Sequence, residues 1–113
     1  MWSKAHSLAL QAYFITREFP KEELYGLTSQ IRRASASIPT NIAEACGRNS
    51  DADFTRFLTI AMGSASELEY LLLLAKDLQL LNSVSYEERQ AVLVEVKKML
   101  YALIIKLRRV API

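Results

Sequence analysis

The sequence predicts an all-α protein, an antiparallel four-helix bundle with up-down-up-down order. Apolar residues recur at three- and four-residue steps over four long segments, and short polar stretches separate those segments. The 113 residues include only three glycines and three prolines, too few for the many turns of a β fold. Short connectors place sequential helices antiparallel. We expect one domain over residues 1–113, with helices at about 2–18, 24–46, 51–80 and 85–110.

The first predicted helix has one apolar face and is followed by a connector with the sequence FPKEELYG. Its face is formed by Leu8, Ala12, Ile15 and Phe19. In the connector, Pro20 suits a first helical position, and Gly26 suits a helix or turn stop.

The second predicted helix contains Pro39 in the middle of its apolar stripe. The stripe consists of Leu24, Leu27, Ile31, Ala34, Ile38, Ile42 and Ala45. An interior proline costs about 3 kcal/mol through a lost hydrogen bond and a ring clash, so we predict a helix kinked at Pro39 and held by its neighbours. The amide of Asn41, with Ser35 or Ser37, is predicted to satisfy backbone groups that the proline frees. We predict that Gly47 ends the helix in the left-handed conformation.

Capping signals precede the third and fourth predicted helices. Ser50 to Asp53 has the pattern of an N-cap with acids in the first turn, where the helix dipole favours them. Ser85 and Glu88 have the spacing of a capping box. The third stripe is Phe54, Phe57, Leu58, Ala61, Ala65, Leu68, Leu72 and Ala75. The fourth has heptad spacing at Leu93, Val96, Leu100, Leu103, Leu107 and Val110.

The third and fourth helices carry more apolar residues than one core requires. The additional positions are Met62, Leu73 and Leu80 on the third helix, and Val94, Tyr101 and Ile105 on the fourth. They are either scattered surface residues, which all proteins have, or contiguous lines that pack against other copies of the chain. We favour self-association through these residues.

The residues that usually carry chemistry are few and isolated. His6, the one histidine, has no glutamate three residues before it, as di-metal bundles require, and Cys46 has no histidine nearby in sequence. The glycines form no phosphate-binding loop. Glu44, Glu67 and Glu69 are candidate inward carboxylates, but pairing with arginines is favoured, and the candidates are Arg32, Arg33 and Arg56. We predict a protein that is not an enzyme and has no metal, cofactor or small-molecule substrate.

Hydropathy and cysteine content give expectations about location. Lys76 and Asp77 interrupt the run Leu71–Leu74, so no apolar stretch approaches the ~20 residues of a membrane span. The first residues do not have the pattern of an export signal, and a single cysteine fits a reducing compartment. We expect a cytoplasmic protein that does not contact a membrane.

Basic residues suggest a partner, although the net charge is only +2. The end of the fourth helix contains Lys97, Lys98, Lys106, Arg108 and Arg109, and the candidates to extend this group are Arg32, Arg33 and Arg48. Cations are also favoured at a helix C-terminus for structural reasons. In an oligomer each copy would repeat the basic group and attract a phosphate backbone. No interleaving of aromatic and basic residues indicates sequence-specific RNA recognition.

Several sequence motifs together carry a family resemblance, namely YGLTSQIRRA, SIPTNIAE, the pair GR, FTRFL, and G-S-x-x-E-L-E. With them, the chain resembles the four-helix-bundle proteins encoded in intervening sequences of bacterial 23S ribosomal RNA genes. The resemblance implies a bundle that assembles into homopentameric rings, and it implies no catalytic residues. A relative in this family, the accessory variability protein of diversity-generating retroelements, is a basic ring implicated in binding nucleic acid and a reverse transcriptase. Ala45 departs from the family pattern, which has glycine at that position.

Together, the residues and the resemblance predict a non-catalytic homo-oligomer, a homopentameric ring. We expect it to bind RNA, or a nucleic-acid-processing partner such as a reverse transcriptase, through its basic residues. The alternative is a scaffold that contacts only proteins, in which the charges serve to solvate the surface. RNA binding that weakens steeply with salt separates the two hypotheses.

Overall fold

The computed structural model describes residues 1–110 of the chain, with side chains as far as Arg108. Within that range the protein contains four α helices, one 3₁₀ turn at Lys21–Glu23 and no strand. The helices are α1 (Trp2–Thr16), α2 (Leu27–Cys46), α3 (Asp51–Asp77) and α4 (Ser83–Val110). The predicted all-α fold class is therefore confirmed.

The helices form an up-down-up-down bundle. Each helix packs against its neighbours in the chain, and α1 closes the bundle against α4. Arg32 near the start of α2 contacts Thr16 at the end of α1, and Lys76 at the end of α3 lies over the ring of Tyr86 at the start of α4. Contacts between the end of one helix and the start of the next establish antiparallel packing.

The predicted apolar stripes form the core. The largest fully buried apolar side chains are Leu8, Ile31, Ile38, Ile42, Leu58, Leu68, Leu72, Leu93, Val96 and Leu100. Burying each of these side chains contributes about 1.5–3 kcal/mol. Phe54, Phe57, Leu103 and Leu107 are only partly buried and pack at the edge of the core. The side chain of Val110, the last predicted core position, lies outside the described residues.

Helix α2 continues through the buried Pro39, and side chains bond the backbone around it. Asn41 Nδ2 donates to the carbonyl oxygen of Ser37 at 2.8 Å and contacts its hydroxyl at 3.0 Å. The same hydroxyl lies 2.8 Å from Ser64 Oγ of α3. Pro39 lacks the N–H that would donate to the carbonyl of Ser35, so the bond from Asn41 to the Ser37 carbonyl does not replace the one that the proline removes, and the predicted role of Asn41 is wrong in that respect. The Ser37 hydroxyl connects this part of α2 to the neighbouring helix. Ser35 donates instead to a backbone carbonyl three residues earlier, at 3.0 Å.

The end of α2 differs from the prediction. Gly47 has φ −90° and ψ 2°, so the predicted left-handed conformation is wrong. The last turn tightens instead, since the N–H of Gly47 donates to Glu44 O and that of Arg48 to Ala45 O, both at 3.1 Å. This right-handed ending leads directly into Ser50, whose hydroxyl accepts from the N–H of Asp53 at 3.1 Å, which confirms the predicted cap.

The left-handed residue is found at the end of α3. Gln79 has φ 65°, and its N–H donates to Lys76 O at 2.9 Å. The N–H of Leu80 donates to Ala75 O at 2.9 Å, which completes a Schellman closure. The predicted extension of the third helix to residue 80 is therefore wrong, because the chain reverses direction at Gln79.

Two helix starts also differ from the prediction. Helix α2 begins at Leu27, because residues 21–23 form a separate 3₁₀ turn, and Leu24 is 46% exposed rather than part of the core stripe. Helix α4 begins at Ser83, where Asn82 Oδ1 accepts from the N–H of Ser85 at 2.7 Å. Ser85 is therefore not the capping residue, because the asparagine three residues earlier already occupies that role. The first helix ends at Thr16, slightly before the predicted residue 18.

Helix α3 is the one described helix long and apolar enough to cross a membrane by length and composition, so the expectation that no apolar stretch approaches a membrane span is wrong. Core helices of soluble proteins pass the same test, and α3 contributes buried residues along its length, from Leu58 to Ala75. The absence of a membrane contact stays a prediction.

Candidate assembly and nucleic-acid interfaces

A groove of about 510 Å³ lies on the outer side of α1 and α2, and we call it the α1–α2 groove. Its walls and floor include Trp2, Leu10 and Tyr13 of α1, and Pro39, Ala43 and Glu44 of α2. Small alanines between large aromatic and aliphatic side chains create the concavity. Leu10 is 60% exposed, and the rings of Trp2 and His6 stack with centroids 5.0 Å apart. The groove is therefore an apolar surface that the bundle itself leaves uncovered.

A second groove, of about 390 Å³, lies between α3 and α4, and we call it the α3–α4 groove. It is lined by Met62, Glu69, Val94, Lys97, Lys98 and Tyr101. Tyr101 is 58% exposed, whereas Met62 and Val94 are partly buried. Three of the residues predicted to contact other copies are thus brought together here, among cations predicted to bind nucleic acid.

The other predicted interface residues lie elsewhere. Leu73 is exposed on α3, and Ile105 is partly buried on α4, but neither lines the α3–α4 groove. Leu80 follows the end of α3 and lines a third cavity, of about 480 Å³, at the end of the bundle where α4 begins. Its predicted place on the surface stripe of α3 is wrong, because the helix ends before it.

Glu69 and Lys97 form an ion pair across the α3–α4 groove. Lys97 Nζ lies 2.9 Å from Glu69 Oε1, and Gln90 Nε2 donates to Glu69 Oε2 at 2.9 Å. The hydrogen bond from Lys97, and then that from Gln90, lower the pKa of Glu69 below its ordinary value, against a smaller opposing effect of burial. Because Glu69 is ionised and neutralises Lys97, Lys98 is left as the net cation of this groove.

The exposed cations of α4 lie towards the end of the bundle where this helix ends. Lys98, Lys106 and Arg108 are exposed and form no ion pair with any described residue. The side chain of Arg109, predicted to belong to this group, lies outside the described residues. Since the helices are antiparallel, α2 ends and α3 begins at this same end.

Two arginines at this end lie near the same aromatic ring. The guanidinium of Arg48 lies 4.6 Å from the ring centroid of Phe57, and that of Arg56 lies 4.4 Å from it. Arg48 also pairs with Glu44, and Arg56 with Asp53 at 3.5 Å. The sequence did not indicate this arrangement, because Arg48 lies in the connector after α2 whereas Phe57 lies in α3, and the path of that connector brings them together.

Arg32 and Arg33 lie away from the other predicted nucleic-acid-binding residues. Arg33 lies thirteen residues, or about 20 Å of helix, before Cys46, the last residue of α2, and Arg48 follows that end. Arg32 donates from Nε to Thr16 Oγ1 at 2.8 Å, and Arg33 lies 3.7 Å from Glu67. The eight predicted cations therefore do not form one continuous patch.

The remaining candidate residues have structural contacts. The predicted pairing of Glu67 with an arginine is confirmed by Arg33. Glu44 pairs with Arg48 and Glu69 with Lys97, so the predicted partners of these two glutamates are wrong. The partner of Glu69 depends on the register between α3 and α4, which the sequence does not specify, whereas Arg48 lies only four residues after Glu44. Cys46 is exposed, and the described residues include no group of three or more side chains suited to a metal ion.

Comparisons with known proteins agree with the architecture. The sequence model of the 23S rRNA-intervening sequence protein family matches residues 1–102. A solved structure from Bacteroides thetaiotaomicron, a protein of unknown function from the S23 ribosomal protein family, is 29% identical with a TM-score of 0.83. That alignment covers 91% of this chain and 96% of the other. The search of curated proteins returned no match. The chain belongs to the 23S rRNA-intervening sequence protein family.

Proposed function

We propose that this protein is a non-catalytic homo-oligomer, a ring of five bundles, that binds RNA through the positively charged end of each bundle. The observation that carries the nucleic-acid part of this proposal is the exposure of Lys106 and Arg108. Both lie in the last turns of α4 and have no acidic partner among the described residues. A phosphate backbone is the ligand class that such unpaired cations attract without reading its sequence.

The surroundings of these two cations support the same ligand class. Glu44 and Asp53, two of the acids near this end of the bundle, are engaged by Arg48 and Arg56 and do not neutralise the α4 cations. A single bundle offers too few contacts for firm binding. A ring would repeat them in every copy, and the affinity for a polyanion rises with the number of phosphates neutralised.

The uncovered apolar surfaces support the assembly part of the proposal. Both the α1–α2 groove and the α3–α4 groove expose large apolar side chains, Leu10 and Tyr101 among them. Contiguous apolar surfaces of this kind mark interaction sites more often than chance. The number five comes from the family resemblance.

A protein scaffold without nucleic-acid binding is the second candidate function. It is favoured by the ion pairs of Arg33, Arg48, Arg56 and Lys97, which neutralise much of the surface charge locally. In this alternative the partner is a protein, and the charges serve to solvate the surface.

Titration of the protein into a fluorescent RNA of mixed sequence at several salt concentrations separates the two candidates. Fluorescence anisotropy reports the affinity at each concentration. The proposed function predicts that log affinity falls linearly with log salt, with a slope of about −0.7 for each phosphate contacted on a single strand. If adding the protein does not change the anisotropy of the RNA at any salt concentration, RNA binding is contradicted and the protein scaffold is the function that remains.

A further inference from the structure

We infer that the RNA bound by this protein is single-stranded, and that its unpaired bases stack on the guanidinium groups of Arg48 and Arg56. This inference rests on the proposed RNA binding and names the kind of RNA that the site takes. The stacking surface lies at the same end of the bundle as Lys106 and Arg108, and it adds Arg56 to the residues predicted to bind nucleic acid.

Phe57 positions both guanidinium groups on the surface. The central carbon of the Arg48 guanidinium lies 4.6 Å from the ring centroid, and that of Arg56 lies 4.4 Å from it. Both distances are within the range of about 6 Å over which a cation and an aromatic ring attract each other. Phe57 is partly buried against the core, so the ring has a fixed position. Side chains that are held in place before binding lose less conformational entropy when a ligand arrives.

The acids that pair with these arginines contact only the edges of the guanidinium groups. Nε and Nη2 of Arg48 donate to the carbonyl oxygen and the carboxylate of Glu44, and Nε of Arg56 lies 3.5 Å from Asp53 Oδ1. The N–H groups of a guanidinium lie in its plane, so these contacts leave its flat faces free. The side chain of Arg48 is 39% exposed and that of Arg56 is 58% exposed. Each arginine can therefore keep its acid and still offer a flat face to a base.

A flat cationic surface of this kind favours a single strand over a duplex. In a duplex each base face is covered by the next base pair, so a protein reaches only phosphates, sugars and base edges. The bases of a single strand are free to stack on arginine planes, whatever their sequence. Lys106 and Arg108 would contact the phosphates of the same strand, because they are exposed and form no ion pair with a described residue.

A comparison of two RNAs and one double variant tests this inference. Fluorescence anisotropy measures the affinity for a single strand and for the duplex of the same sequence and length, at the same salt concentration. Charge alone would favour the duplex, whereas stacking predicts that the wild type binds the single strand about tenfold more tightly. Arg48→Lys with Arg56→Lys keeps both charges but removes the flat groups. We expect this variant to lose the preference for the single strand without a change in the salt slope.

The matched control is Arg17→Lys, because the Arg17 guanidinium also lies over an aromatic ring, 5.7 Å from the centroid of Phe14, but at the opposite end of the bundle. It should keep the wild-type preference, and circular dichroism should show that both variants are folded. If the wild type binds the duplex as tightly as the single strand, or if the double lysine variant keeps the preference, the inference is wrong. Failure to bind either RNA would instead contradict the proposed RNA binding itself, so the two failures are distinguishable.

Discussion

The two sides of the bundle expose different chemistry. The α1–α2 side presents aromatic and aliphatic side chains around Pro39, with Glu44 as its only charged lining residue. The α3–α4 side presents a shallower apolar surface among lysines, one of which is neutralised by Glu69. A symmetric dimer would need one surface that complements itself, whereas two unlike surfaces on opposite sides suit a head-to-tail ring.

The two sides also differ in what stabilises them. The α1–α2 side contains a helix defect at Pro39, and the hydrogen bonds of Asn41 with Ser37 lie beside it. The α3–α4 side contains an uninterrupted pair of long helices, which a left-handed residue and a cross-helix ion pair connect. Each difference suggests a substitution that should change binding or stability at one side of the bundle. A matched control substitution lies on the other side or close by.

The largest expected effect concerns RNA binding. The double substitution Lys106→Gln with Arg108→Gln removes two of the three exposed α4 cations that form no ion pair with a described residue, so we expect the salt slope to become shallower by about 0.7 for each phosphate that is no longer neutralised. The matched control is Arg32→Gln with Arg33→Gln, which removes the same charge near the start of α2, away from the end of α4. Fluorescence anisotropy across a salt series measures both. Equal reductions in slope for the two double variants would contradict the assignment of RNA to the end of α4.

The next effect concerns the defect in α2. Asn41→Leu adds apolar bulk but removes two hydrogen bonds beside Pro39, and it leaves a partly buried carbonyl and hydroxyl without this donor. We expect the free energy of unfolding to fall by about 1–3 kcal/mol, as measured by urea denaturation. Thr59→Val is the control, because its hydroxyl bonds Thr55 O at an exposed position outside both grooves and should change stability by less than about 0.5 kcal/mol. An unchanged or higher stability of the Asn41 variant would show that the network is dispensable.

A smaller effect distinguishes the ends of α2 and α3. Gln79→Gly should raise the free energy of unfolding by about 1 kcal/mol, because glycine adopts φ 65° without a steric penalty. Gly47→Ala should be neutral or raise it by up to about 1 kcal/mol, because φ −90° suits any residue and the added Cβ would meet Glu44 O at an ordinary 3.6 Å. Thermal unfolding of both variants measures the difference. If Gly47→Ala lowers the free energy of unfolding, Gly47 adopts the left-handed conformation that the sequence predicted for it.

The smallest effect is the pH dependence of the α3–α4 ion pair. The pKa of Glu69 is lowered in the folded protein, mainly by Lys97, so its contribution to stability is present above the unfolded value of about 4.3 and is lost as the pH falls through the lower folded value. The stability difference between the wild type and Glu69→Gln should therefore be constant near neutral pH and shrink below about pH 4.3. Urea denaturation at a series of pH values measures it. A difference independent of pH down to the acid limit would mean that the ion pair contributes nothing.

Local patterns in the sequence were sufficient for the helices and part of their detail. Periodicity predicted the core from Leu8 to Leu100, because the core face of each helix repeats at its own period. The cap at Ser50 was predictable for the same reason, since both partners lie within four residues of each other. The acceptor of Asn41 was not, because the Ser37 carbonyl is not the group that Pro39 frees.

Features that depend on how helices meet were not predictable. The register between α3 and α4 decides that Lys97, and not an arginine, reaches Glu69, and the path of the connector after α2 places Arg48 on Phe57. The predictions of the helix ends were wrong for a related reason. The connector path, rather than the presence of a glycine, determines that the left-handed residue is Gln79.

Sedimentation equilibrium of the wild-type protein at micromolar concentration tests the central claim most directly, because it asks whether other copies cover the two grooves. We predict a mass of about 64 kDa, five times the 12.8 kDa of the chain. A mass equal to another whole multiple of the chain mass would support self-association but contradict a ring of five. A single species at 12.8 kDa would contradict the account, because Leu10 and Tyr101 would then face water on both sides of a solitary bundle.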